Sequence, residues 1–400
     1  MLAGILALTH GSYGYSVLTH EAIVDSLWTD AIAPLIKKRF PDVTAEQLVQ
    51  AHAYAYGGAI IQDMGYFPFG NKLFSHLTHY VRSGGFVSAM ISEAGTADEY
   101  AFALGSLAHY ASDTVGHPEA INRVVPMLYP KLRAKYGAVV TYEEAPAAHL
   151  KTEFGFDVLE IAKGRYAPQS YHDFIGFQVS KTLLERAFQD TYSLSLKDIF
   201  VNLDLALGTY RRTVGSLIPE MTRVAWHDKR DEIQKSQPGM TQRKFLYNLS
   251  RSSYENEWGH TYERPGACAR FLAFLFRILP KVGPLRALSY HVPDPQSEKL
   301  FMASFNDTVV RYRALLQLQA EQTHQKLPDR NLDTGNPTKR GVYERADRAY
   351  EALLEKLSDS KEEVNPRLLS SILDYYGETG EATSERARRE LSILRHLRAF

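Results

Sequence analysis

The stretch LGSLAHYASDTVGHPEAIN, residues 104–122, constrains the fold more than any other part of the 400-residue chain. His109, Asp113 and His117 recur at four-residue steps inside an apolar run that Pro118 interrupts. Residues four apart on an α-helix differ by about 40° around the axis, so the three groups fan over about 80° and can enter one cavity. Leu104, Leu107 and Ala108 flank them, as expected of a helix buried among other helices. Imidazoles and carboxylates are costly to bury unpaired, and a bound metal satisfies all three together. A buried, hydrogen-bonded His/Asp cluster or a solvated face would use the same pattern. Pro118 is expected to end the helix, leaving His117 aimed at a different point from His109.

The surrounding sequence is helical in period. THEAIVDSLWTDAIAPLIKKRF (19–40) places Ile23, Leu27, Ile32 and Leu35 on one helix face. Thr44 with Gln47 and Thr96 with Glu99 read as capping boxes, the second opening the helix of the His109 stripe. Thr141 with Glu144 is a third, a first-turn feature with Pro146 close behind. The pattern continues through 168–192 and 195–221, and alternating strand-like stretches are nearly absent. The fold class is therefore all-α. After about residue 225 the texture changes: 226–244 is polar and breaks at Pro238–Gly239, helical runs resume at 265–280 and 297–325, and KLPDRNLDTGNPTKRG (326–341) reads as a loop or linker. The expected organisation is a signal segment over 1–14, a catalytic domain over 15–224 and a helical extension over 225–400. Eight of the fourteen histidines lie at or before residue 149, which puts any chemistry in the N-terminal half.

Composition removes several classes. Lys plus Arg and Asp plus Glu both number 46, so nothing points to a strongly basic surface for nucleic acid. Cys268 is the only cysteine, which excludes an intrachain disulfide and leaves His, Asp, Glu or main-chain groups to hold any metal. No run of about 18 apolar residues provides a transmembrane helix. MLAGILAL, followed by Ser12 and Gly14 at signal-peptidase spacing, reads as a secretion signal lacking its basic leader; an ordinary buried N-terminal segment is the alternative.

Three further stretches carry metal-binding residue types. In AAHLKTEFGFD (147–157), His149 and Glu153 stand four apart on a helix and suit one zinc ion. In GGAIIQDMGYFPFGNKLFSHLTHYVRSG (57–84), Asp63 opens a Gly- and aromatic-rich loop, and His76 and His79 follow. His20 lies in the first turn of the first helix, and His52 is expected to serve as a core or supporting histidine. Taken singly, each is equally what a solvated helix, a turn or a helix cap presents.

Together, YSVLTHEAI, QDMG, LTHY, LAHYASDTVGHP and HLKTEFGFD, in that order, resemble the zinc-dependent phospholipase C family and the wider superfamily it shares with single-strand-specific nucleases. The resemblance covers roughly residues 15–220. It implies a helical domain with up to three zinc ions at the base of a cleft. Asp63, His79, His109 and Asp113 would hold the central ion, with His76 as the alternative to His79. Asp113 would bridge to a second ion bound by His20, and His117, His149 and Glu153 would hold the third. In these families the mature N-terminal residue chelates zinc through its main chain; cleavage after Gly14 would make that residue Tyr15, where the family often has Trp. Export from the cytoplasm, as a secreted or periplasmic protein, follows from the same comparison. The short step from Asp113 to His117 is closest to the branch that includes glycosylphosphatidylinositol-specific phospholipase D. The implied activity is hydrolysis of a phospholipid or other phosphodiester by metal-activated water, with Asp63 or Asp113 accepting the proton. Tyr66, Phe67 and Phe69 are candidates for a cleft rim that touches lipid chains, by peripheral membrane contact, or stacks on bases. The alternatives are a single-strand nuclease, with nucleic acid as partner, and a non-catalytic, metal-stabilised module that binds lipid or a protein partner.

Overall fold

Capping residues and prolines set the element boundaries in the computed structural model, which describes residues 15–163, 165, 177–214, 218–247, 290–321, 326–360 and 363–398. The chain opens with α1 (Val17–Leu27), a π-helical turn (Trp28–Ile32) and α2 (Ala33–Arg39). Next come α3 (Ala45–Ile60), a 3-10 turn (Ile61–Tyr66), α4 (Lys72–Tyr80), α5 (Ser83–Glu93) and α6 (Ala97–Gly116). A second π-helical turn (His117–Ile121) leads to α7 (Asn122–Leu128), α8 (Pro130–Tyr136) and α9 (Pro146–Lys163). Then follow α10 (Lys181–Tyr192), α11 (Leu196–Ile199), α12 (Leu203–Arg212), α13 (Ile218–Ser236) and α14 (Gln242–Tyr247). Four more helices are described beyond: α15 (Pro295–Ala320), α16 (Glu344–Asp359), α17 (Pro366–Tyr376) and α18 (Glu385–Arg398). The all-α expectation holds, and among the described residues there is no β-strand, only a bridge between Arg330 and Pro337. The helix expected at 265–280 lies outside the described residues. No described helix is long and apolar enough to cross a membrane.

Thr44 and Gln47 form the complete capping box that their spacing suggests. At α6 the box is displaced by one residue: Thr96 accepts from the Glu99 amide, but the Glu99 carboxylate accepts from Gly95 rather than Thr96. Thr141 donates both its amide and its hydroxyl to Glu144, closing a turn before α9 begins at Pro146. Each π-helical turn is paired with a proline, Pro34 just after the first and Pro118 within the second, whose missing N–H removes one regular helical bond. Pro118 therefore does not stop the helical path, as the sequence suggests. It loosens one turn and rotates His117 off the line of His109 and Asp113.

The centre of the fold is the pairing of α3 with α6, the most extensive helix contact among the described residues. Glycines make it close. A Cβ on Gly105 would lie 2.0 Å from the Ala55 carbonyl oxygen, and one on Gly58 would lie 1.8 Å from that of Phe102. The two backbones thus meet with no side chain between them. Helix α15 packs along α6 and α1, where Tyr312 donates to the Leu104 carbonyl and Phe301 stacks on Phe156. The middle of α6, the segment that carries His109 and Asp113, is thereby enclosed on every side.

Candidate metal centre

Six elements deliver the chemistry-bearing side chains to one interior region. Helix α1 brings His20, the 3-10 turn after α3 brings Asp63, and α4 brings His79. His109 and Asp113 come from α6, His117 from the following π-helical turn, and His149 and Glu153 from α9. All eight are fully buried. They gather as three groups that could each hold a metal ion: His20, His109 and Asp113; Asp63, His79 and His109; and His117, His149 and Glu153.

Hydrogen bonds to the backbone orient three of the imidazoles. His79 donates Nδ1–H to the Ser75 carbonyl (2.8 Å) and His109 donates Nδ1–H to the Ala59 carbonyl (2.9 Å). His149 uses Nε2–H for the Val140 carbonyl (2.7 Å). Each bond leaves the other ring nitrogen facing the cluster, the arrangement that fixes the tautomer of a metal-binding histidine. The Ala59 bond depends on the glycine seam, because only a close α3–α6 approach brings that carbonyl within reach.

Spacing among the inward atoms discriminates between a hydrogen-bonded cluster and a metal centre. His79 Nε2 lies 3.3 Å from His109 Nε2, 3.4 Å from Asp63 Oδ1 and 3.4 Å from Asp113 Oδ2. His109 Nε2 is 3.2 Å from Asp113 Oδ2, and His20 Nε2 is 3.5 Å from Asp113 Oδ1. His149 Nδ1 is 3.5 Å from Glu153 Oε1. Charge-assisted hydrogen bonds run at about 2.7–2.9 Å. Four ligands at about 2.0–2.1 Å around a tetrahedral ion stand about 3.3–3.4 Å apart. The observed set matches the second figure. Both oxygens of Asp63, Asp113 and Glu153, both nitrogens of His20 and His117, and His149 Nδ1 have no hydrogen-bond partner, although all are buried. A single proton shared between His79 and His109 would leave most of these atoms unpaired. The donor set therefore fits divalent cations, and the two Asp113 oxygens face different groups.

The charges respond to this crowding. Burial pushes the Glu153 carboxyl well above its usual range, and the charges of Asp113, Asp63 and Asp333 push the same way. Burial lowers His20 well below its usual value, reinforced by His109, and lowers His149 to about 3. Burial opposes protonation of His79 too, but the neighbouring carboxylates of Asp113 and Asp63 raise it to about 10. Burial would raise Asp113, yet His109 and the neighbouring donors hold it well below the carboxylate range.

The remaining sequence candidates fall around this centre. The Tyr15 ring stands edge-on to His20 at 6.1 Å, lies beneath Gly116, and bonds through its hydroxyl to Ser304 (2.5 Å). His76 is only half-buried, sits between the rings of Tyr66 and Tyr80, and joins none of the three groups. His52 pairs with Asp25 at 2.8 Å and stacks on Trp28, a packing role. Of the loop aromatics, Tyr66 and Phe67 are buried, Phe67 against Tyr210, while Phe69 is 46% exposed.

Two carboxylates at the centre were not apparent from the sequence. Asp157 accepts from the Leu18 amide and the Thr19 hydroxyl, fixing the turn of α1 that presents His20. Asp333 comes from the 326–341 stretch that reads as a linker; it is fully buried, with Oδ1 3.5 Å from His117 Nε2. One α9 helical turn after Glu153 was a weak signal for the first. A lone Asp in a polar loop gives none for the second. Arg345 lays its guanidinium over the Tyr142 ring at 4.7 Å.

An all-helical fold that encloses three His/carboxylate groups has the donors to hold metal ions. Residues 19–200 match the family model described as zinc dependent phospholipase C, so this segment of the chain is similar to that family. The family is one of hydrolases with zinc as cofactor and phospholipid as the suggested substrate class. No curated protein and no solved structure matches the chain.

Proposed function

We propose that the chain is a zinc-dependent phosphodiester hydrolase of the phospholipase C type, with up to three ions in the buried centre. The observation that carries this is the set of 3.2–3.5 Å separations among buried side chains, most of whose inward-facing atoms have no hydrogen-bond partner. Asp63, His79, His109 and Asp113 hold the central ion. His20 and Asp113 hold the second, together with the main chain of Tyr15 once a signal segment ending at Gly14 has been removed. His117, His149 and Glu153 hold the third. Zinc bound in such a cluster supplies an activated water and neutralises the charge that builds on a phosphoryl group.

The chain's own groups do the rest. Asp113 offers one oxygen to each neighbouring position, and Asp63 faces His79 with the other carboxylate closest to it; these two are the candidates to take the proton from the attacking water. Backbone bonds from Ser75, Ala59 and Val140 hold the imidazoles against rotation. The four-residue step from Asp113 to His117 resembles the glycosylphosphatidylinositol-specific phospholipase D-like branch, and the substrate we propose is a phospholipid or a related phosphodiester. Exposed Phe69 supports peripheral contact with the lipid surface, and the expected signal segment supports a secreted or periplasmic site of action.

The test is hydrolysis by zinc-loaded protein of phosphatidylcholine, phosphatidylinositol and single-stranded DNA, each compared with Asp63→Asn. Turnover of a phospholipid that the variant loses supports the proposal. Turnover of DNA alone assigns the chain to the nuclease alternative, and no turnover with a full zinc complement assigns it to a non-catalytic binding module.

A further inference from the structure

The 326–341 stretch is stitched to the face of the centre rather than spanning between domains. Tyr110 donates to the Pro328 carbonyl, and Ser83 Oγ both donates to the Arg330 carbonyl and accepts from its amide. The Leu332 amide donates to the His79 carbonyl (3.1 Å), one residue before Asp333. Gly335, at φ +69°, turns the chain directly against the Thr114 carbonyl of α6, where a Cβ would come within 2.5 Å of the oxygen. The segment is thus held by α4, α5 and α6, the helices that also carry or adjoin the ligand side chains.

Asp333 is the most closely fixed residue of this segment. Its amide donates to Asn331 Oδ1 (3.0 Å), and its carbonyl accepts from Asn122 Nδ2 (2.9 Å). Oδ2 accepts from the hydroxyls of Tyr80 (2.7 Å) and Tyr343 (2.5 Å). Oδ1 accepts from nothing, is buried, and lies 3.5 Å from His117 Nε2. Two phenols on one oxygen and none on the other is the posture of a monodentate ligand whose free oxygen is reserved for a cation. The 3.5 Å separation is also that between His149 and Glu153, and again about one edge of a tetrahedral zinc site. Among the described residues, His117, His149 and Glu153 form a group of three that could share one ion, and Asp333 stands beside it, nearest to His117.

From this geometry we propose that Asp333 Oδ1 is the fourth protein ligand at the position of His117, His149 and Glu153, so that the C-terminal extension closes that coordination site. The proposal rests on the zinc-centre assignment above. Two histidines and two carboxylates balance the charge of one divalent ion, and four protein ligands make a closed site. The extension then takes the place that water or a substrate oxygen would otherwise hold at this ion. Tyr80 and Tyr343 act as positioning residues for it.

Zinc content and affinity test this in the full-length protein, by equilibrium dialysis against graded zinc buffers followed by metal analysis. Wild type is expected to hold three ions. Asp333→Asn is expected to keep two at unchanged affinity and to lose affinity for one by on the order of 10–100-fold or more. Equal affinity for all three ions in the variant overturns the Asp333 assignment and leaves the zinc centre intact. A wild-type protein that binds no zinc overturns both. Anomalous diffraction from zinc-loaded wild-type crystals reads the same claim without a substitution, in case Asp333→Asn fails to fold. An ion about 2.0–2.2 Å from Asp333 Oδ1 supports it, and a water in that place overturns it.

Discussion

Gly105→Ala probes the link between backbone packing and the metal centre. The added methyl would sit 2.0 Å from the Ala55 oxygen and 2.8 Å from the Ala59 nitrogen, both backbone atoms that cannot swing aside. Reaching even 3.0 Å requires α6 to retreat from α3 by at least about 1 Å, one helical turn before His109. Alanine in a helix is favoured over glycine by about 1 kcal/mol. Overpacking costs about 1–3 kcal/mol, and stretching the buried bond from His109 Nδ1 to Ala59 adds about 1 kcal/mol. The clash therefore wins by about 2 kcal/mol, equivalent to about 4–8 °C in a domain of this size. Displacing His109 is also expected to weaken zinc binding by on the order of 10-fold. The assay is thermal unfolding with and without zinc, beside zinc titration of the refolded protein. Gly95→Ala serves as the control, since its Cβ meets only the flexible Glu99 carboxylate at 3.5 Å. If Gly105→Ala matches wild type in midpoint and zinc affinity, the glycine seam does not position His109.

Stripping metal with a chelator is expected to lower the unfolding midpoint and to restore it on zinc addition, since each site saturated at about 100 times its Kd contributes about 2.7 kcal/mol. Burial raises the Glu160 carboxyl to about 7, with Arg165 opposing. The folded state thus binds that proton more tightly than the unfolded chain, and the associated stability, at most about 3 kcal/mol, is present below about pH 4.5 and lost as pH rises through about 7. Urea unfolding of Glu160→Gln across that window should show a correspondingly flatter pH dependence; an unchanged slope contradicts it. Phe69→Ser is expected to reduce sedimentation with phosphatidylinositol-containing vesicles by on the order of 10-fold, from the loss of a large apolar side chain, while hydrolysis of a short soluble phosphodiester stays at the wild-type rate.

The helical fold and most of the centre were legible because both rest on short-range spacing. His109 and Asp113 in one helix, and His149 and Glu153 in another, declare their shared face through the 3.6-residue period, and Thr44 with Gln47 announces a helix start directly. What the period could not show is how elements meet. The displaced box at Gly95 and Glu99, and the π-helical turn at Pro118, are local adjustments that depend on neighbouring backbone. The choice of His79 over His76 for the cluster follows from the direction in which α4 faces α6, which no spacing rule supplies. Asp333 was invisible for a different reason: it lies more than 200 residues from His117 in sequence, in a polar loop whose burial arises only from long-range bonds to Tyr80, Asn122 and Tyr343.

The zinc content of the purified, full-length protein tests the central claim most directly, measured beside Asp113→Asn. Asp113 faces His20 with one oxygen and His79 and His109 with the other, so its loss is felt at two positions. Wild type is expected to carry three zinc ions per chain, and the variant to lose at least one together with part of its thermal stability. Less than one zinc per chain in wild type, with metal content and stability unchanged by Asp113→Asn, would contradict the account.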